Sequence, residues 1–84
     1  MSPEALKNKI ETLEPGTKAE IMDLTGTKDH YRAIVVSPAF EGIPMMRQHR
    51  LIFELLKTEL DSGELHALTL KTFTPSEYEA QVGP

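Results

Sequence analysis

The chain has no cysteine, which excludes disulfide staples and any metal site built from its own thiolates. No apolar run approaches the roughly 20 residues that a bilayer-spanning helix needs. The opening MSPEALKNKIE is charged and helical in character, unlike a secretory signal peptide, so a cytoplasmic protein is the default expectation. Catalytic signatures are missing too. There is no Ser/His/Asp or Cys/His constellation, no phosphate-binding glycine loop and no His-Glu-x-x-His. The many acidic residues fall on polar helix faces, so neither catalysis nor a small-molecule substrate is expected. An excess of positive charge is also lacking. With 9 Lys and Arg against 13 Asp and Glu, the net charge is −4, a poor balance for a surface built mainly to hold phosphates.

What remains is a short chain with clear punctuation. Its 84 residues are read as a single domain, 1–84, with the ordered core over about 3–80. A domain of this size buries only about 60% of the surface its unfolded chain exposes, so the core is thin. Ser2-Pro3-Glu4 reads as an N-cap, a proline at the first helical position and an acidic first turn. Ala5, Leu6, Ile10 and Leu13 follow at helical spacing, and Pro15-Gly16 ends the helix. Ala19, Ile21 and Leu24 mark a weaker, partly alternating edge strand. Thr25 to Asp29 is a polar turn, so a hairpin leads into the next strand.

His30 to Ser37 is the strongest strand signal, rich in β-branched residues and nearly continuous in hydrophobicity, as in a strand covered by helices. A long helix is expected from Pro44 to about Asp61, with Met45, Ile52, Leu55, Leu56 and Leu60 as its core stripe. Gly63 supplies the left-handed residue that stops it. Leu65 to Lys71 alternates as a third strand. Thr74, Pro75 and Glu77 form a capping box for a short last helix, and Gln81 to Pro84 are expected to fray. The order is α-β-β-α-β-α, an α+β fold with a three-stranded mixed sheet and helices packed on it. Strand, long helix, strand is a right-handed crossover, so the strands at 30–37 and 65–71 should be parallel.

That topology makes a statement about histidines. His30 opens the second strand and His66 opens the third, so both should lie at one end of the sheet. Such a pair can offer one or two imidazoles to a metal, yet two do not complete a tetrahedral site. An open site finished by a partner follows, or no site at all; the plain alternative for each is a strand-end histidine bonded to backbone. His49 falls on the apolar side of the long helix and reads as a partly buried supporting residue. Arg47, His49 and Arg50, with Lys57 further on, form a small basic cluster. In a Pro44–Lys57 helix after a tight turn, it is also the place a DNA-binding helix would use.

As a set, several segments resemble the BolA family: Val35-Val36-Ser37, Phe40-Glu41-Gly42, His49-Arg50-Leu51-Ile52, HALTLKT from His66 to Thr72, and Thr74-Pro75. The resemblance runs from about Leu6 to Tyr78. It implies a fold similar to the type II K-homology domain. The Gly-x-x-Gly loop by which such domains clamp RNA is absent, so that function does not carry over. The resemblance further implies a monothiol glutaredoxin partner and a [2Fe-2S] cluster shared with it and with glutathione, in iron homeostasis, and no cofactor when the chain is alone. The glutaredoxin cysteine and glutathione would supply thiolates, and His66 the most dependable ligand on this side. Imidazole ligation raises a cluster's potential and makes it labile to protonation.

Many family members carry a second ligand, Cys or His, in a longer loop between the first two strands. Here Thr25 to Asp29 holds neither, which leaves His30 as the nearest candidate. Family members usually read Arg-His-Arg in the helix, whereas this chain reads Arg47-Gln48-His49-Arg50, which turns the first charge about 100° around the axis. Phe40 is expected to plug the core edge and Gly42 to permit the turn, with Glu41 free for a partner. The alternative function is a DNA-binding transcriptional regulator that uses the basic helix 44–57 through Arg47 and Arg50.

Overall fold

The computed structural model describes residues 1–24, 26 and 30–82. Helix α1 (Pro3–Glu11) begins as the sequence predicts, with Ser2 Oγ accepting the Ala5 amide at 3.1 Å. Its Leu6 and Ile10 are fully buried. Strand β1 (Lys18–Asp23) pairs antiparallel with β2 (His30–Val36), and β3 (Ala67–Phe73) pairs parallel with β2, giving the sheet order β1-β2-β3. Of the turn expected at 25–29, Thr25, Thr27, Lys28 and Asp29 lie outside the described residues, as do Gly83 and Pro84 of the expected frayed end.

Between β2 and β3 the chain makes a 3-10 turn (Pro38–Phe40), then α2 (Met45–Leu55) and α3 (Lys57–Ser62); α4 (Pro75–Val82) follows β3. Phe40 is fully buried and Gly42 turns the backbone at φ +69°, a conformation glycine adopts without strain. The Thr74 capping box forms: the Thr74 amide donates to Glu77 Oε1 at 2.8 Å, and the Glu77 amide to Thr74 Oγ1 at 3.2 Å. Gly63 closes α3 at φ +83°.

The expected single helix 44–61 is in fact two. Leu56 leaves helical geometry (φ −99°, ψ 11°), although its amide still reaches the Ile52 carbonyl at 3.0 Å. The bend keeps Leu56 fully buried and Leu60 packed against the core. The expected core stripe also loses a member. Met45 is 64% exposed, because the buried place in the first turn of α2 is taken by a side chain that bonds the Phe40 and Ile43 carbonyls. The buried residue there is Gln48. Strand β3 likewise begins at Ala67, not Leu65, which is buried ahead of it as a core plug.

Alternation sorts the two sheet faces. Ala19, Tyr31, Ala33 and Val35 point inward, with Leu68 and Leu70 half-buried beside them, under α1 and α2. Even-numbered residues of β1 and β2 and odd-numbered residues of β3 point outward. Among the described residues, α4 meets that outer face through the ring contact of Tyr78 with Phe73 at 5.6 Å.

Gln48 ties the crossover to the sheet. Its Nε2 donates to the Ile43 carbonyl at 2.7 Å and the Phe40 carbonyl at 3.4 Å, and Oε1 accepts from Thr72 Oγ1 at 2.6 Å. One amide thus satisfies the turn, the helix entry and β3. Removing it leaves several buried polar groups unpaired, at about 1–3 kcal/mol for each such group. Gln48→Ala should lower stability by about 2–3 kcal/mol and the melting temperature by roughly 10 °C. Gln48→Met, which restores volume but not hydrogen bonds, should recover little of that loss by thermal unfolding.

Glu11 protects the other edge of the sheet. Its Oε2 accepts from Lys7 Nζ at 2.8 Å and from the outward-facing Ala19 amide of β1 at 3.0 Å. The Lys7 hydrogen bond, then the Ala19 amide, holds this carboxyl below the ordinary glutamate range. A lowered folded value means stability present at neutral pH and lost as pH falls through that value. Glu11→Gln should therefore cost about 1 kcal/mol at pH 7. The gap to wild type should narrow in denaturant unfolding as pH is lowered below the ordinary glutamate range.

Candidate functional site

The parallel register sets His30 opposite Ala67, so His66 stands one residue ahead of the pair at the same sheet end. The two imidazoles lie with ring centroids 6.4 Å apart and planes tilted by 55°. Both residues are exposed. Local structure explains the placement. Gly63 reverses the chain after α3, and a Cβ there would stand 3.9 Å from His66 Nε2. Leu65 is buried and its amide donates to the Glu59 carbonyl at 3.1 Å, which fixes the backbone just before His66. On the other side, His30 accepts the Leu24 amide through its own carbonyl at 2.9 Å.

No group of three or more His, Cys, Asp or Glu side chains suited to a metal exists among the described residues. The donor set is therefore two imidazoles on exposed residues, with no thiolate. A [2Fe-2S] cluster takes four protein or small-molecule ligands. Two exposed imidazoles fit one half of such a shell, and the other half would have to arrive on another molecule. The arrangement does not fit a resident cluster.

The third histidine is elsewhere. His49 sits in the early turns of α2, whose entry follows the opposite end of β2. It is half-buried, and its buried Nε2 has no hydrogen-bond partner among the described residues. Arg47 and Arg50 are exposed and, with Ile43, Leu51 and Glu54, line a shallow hollow on α2. Glu41 is exposed at the end of the 3-10 turn, its amide bonded to the Pro38 carbonyl at 3.2 Å. The structure thus brings His30 and His66 together and leaves Arg47, Arg50 and Glu41 in other parts of the surface. Sequence reading missed one feature of the site: Met22 and Leu24, 51% and 52% exposed, next to His30. The even position of Met22 on β1, and of Leu24 just beyond its end, was the available signal.

Comparison with known proteins identifies the fold and its lineage. A model of the BolA-like protein family matches residues 3–77. This chain belongs to the BolA-like family. It is 34% identical over 83 residues to mouse BolA-like protein 2, covering 96% of this chain and 94% of that one. It is 39% identical over 56 residues to a Haemophilus influenzae protein named DNA-binding transcriptional regulator BolA, covering 67% of this chain and 53% of that one. A solved BolA homologue from Coxiella burnetii superposes with a TM-score of 0.76 at 36% identity, covering 94% of this BolA-like chain and 97% of that one. The chain spans about half the length of several curated relatives it matches. No helix among the described residues is long and apolar enough to cross a membrane.

Proposed function

We propose that this BolA-like chain is an adaptor that binds a monothiol glutaredoxin and co-ligates a [2Fe-2S] cluster with it. The observation that carries the reading is the exposed His30–His66 pair, 6.4 Å between ring centroids at one sheet end. Membership of the family supports the partner, and the absence of cysteine supports a site that the chain cannot complete alone. In this reading His66 is the principal ligand and His30 the second. The cluster, when bound, would supply one-electron chemistry and an iron–sulfur unit whose imidazole ligands make it sensitive to acid. The chain's own residues do the rest. The register of β2 and β3 orients the two imidazoles, and the Gly63 turn with buried Leu65 holds the backbone ahead of His66.

The test is anaerobic reconstitution with a monothiol glutaredoxin, glutathione, iron and sulfide. A mixed complex should form, with a visible circular dichroism spectrum distinct from that of glutaredoxin alone. His66→Ala should abolish or strongly alter that spectrum, and His30→Ala should weaken it. A spectrum identical to glutaredoxin alone, with no complex on gel filtration, would sink the adaptor reading.

A second reading, DNA binding through α2, is favoured by the exposed Arg47 and Arg50 and by the name of the Haemophilus relative. Glu54 in the same hollow and the net charge of −4 weigh against it. If it holds, affinity for duplex DNA should fall steeply with salt. Arg47→Gln with Arg50→Gln should reduce the slope of log K against log salt by about 2.

A further inference from the structure

The inner face of the sheet is filled by α1 and α2, so anything that meets the His30–His66 pair must come from the sheet end or the outer face. The registers lay that outer face out in rows across the strands. Leu24, His30 and Ala67 form the row at the histidine end, joined by the Leu24 amide bond to the His30 carbonyl and by the His30–Ala67 pairing. Met22, Arg32 and Thr69 form the next. By the alternation of β2, His30 shares this face with Arg32. Among the described residues, cover arrives at the far end, where Tyr78 of α4 rests on Phe73. In the rows nearest the histidines Met22 and Leu24 stay exposed among those residues.

Their chemistry differs from that of an ordinary solvated face. Met22 and Leu24 are each about half exposed, at 51% and 52%. Arg32 lies beside them and Lys71 one row further on. Methionine and arginine are residue types enriched at interfaces; here Met22 is exposed, Arg32 is half-buried beside it, and exposed Leu24 adds apolar area. On this face the strands carry Lys18, Arg32 and Lys71 against the carboxylate of Glu20, which shares the row of Lys71, on a molecule of net charge −4.

We infer that the outer face of the sheet, centred on Met22, Leu24 and Arg32, is the docking surface for the thiol-bearing partner that completes the histidine site. This rests on the adaptor reading and deepens it. The partner's contact surface would be acidic around an apolar centre, complementary to Arg32, Lys71, Met22 and Leu24. Docking there sets a partner's thiolate donors against His30 without displacing any helix. It also predicts that association precedes cluster binding, because the face exists without iron.

The experiment is titration of iron-free monothiol glutaredoxin onto this chain by calorimetry. The variants are Met22→Glu, Lys71→Glu and, as a control on a distant exposed site, Glu14→Lys, with far-ultraviolet circular dichroism as the check on folding. Met22→Glu and Lys71→Glu should each raise Kd about tenfold or more, and Glu14→Lys should leave it within twofold. His66→Ala should keep the iron-free association and lose the cluster spectrum. If Met22→Glu is misfolded, Lys71→Gln provides the milder arm, with a smaller rise in Kd that grows as salt is lowered. Unchanged Kd in the folded variants, with the cluster spectrum still dependent on His66, overturns the docking surface and leaves the adaptor reading standing. Failure of the wild-type chain to bind glutaredoxin with or without iron overturns both.

Discussion

The parallel pairing of β2 with β3 is the constraint on which the rest of this structure depends. It runs from His30 opposite Ala67 to Val36 opposite Phe73, and the Ser37 amide extends it to the Phe73 carbonyl at 3.1 Å. Parallel neighbours need a crossover, so the 3-10 turn, α2 and α3 must return the chain along the inner face. The same register brings the histidines together. A slip of one residue would move every β3 side chain to the opposite face and would break the Gln48–Thr72 bond with it. Fold and candidate site are therefore specified by one set of pairings, and the buried Gln48 amide fastens the crossover to them.

Much of this was legible in the residues because it rests on local chemistry. Ser2 and Thr74 cap helices through hydroxyls at fixed spacing, Gly63 is at a helix end that needs positive φ, and β2 is a run of β-branched residues. The same-end placement of His30 and His66 followed from topology. What hydropathy could not convey was where a helix stands relative to the sheet. Met45 has the right phase for the core stripe yet is exposed, and the buried place in that turn goes to Gln48, held by the carbonyls of Phe40 and Ile43. The Phe40 carbonyl also accepts the Ile43 amide at 3.1 Å, and the Gln48 side chain is the polar group that reaches both carbonyls beneath the helix. Periodicity scores treat such a residue as surface. The break at Leu56 is similar: a continuous stripe hides a bend that lets Leu56 and Leu60 both reach the core.

The outer face was harder to read. Ala19, Ile21 and Leu24 looked like one apolar series in β1, but only the odd members point inward. Leu24 and Met22 belong to the even set and face solvent beside His30. An edge strand with one poor alternation thus carries two messages at once, a thin inner face and an unusually apolar outer one. The pairing partners in β2 and β3 are needed to separate them.

Size explains why that face is open. At 84 residues the chain has enough apolar material to fill one side of a three-stranded sheet, and α4 is too short to roof the other. Residual apolar surface on a small domain normally disfavours the isolated state, and it is tolerated where a second molecule covers it for part of the time. The uncovered rows begin at the histidine end and the covered one is remote from it. Were the bare face simply a shortfall of residues, no such placement would be required, and a charged, methionine-free surface would serve solubility better. In the adaptor reading proposed above, a single partner would supply both the missing ligands and the cover at that end of the sheet.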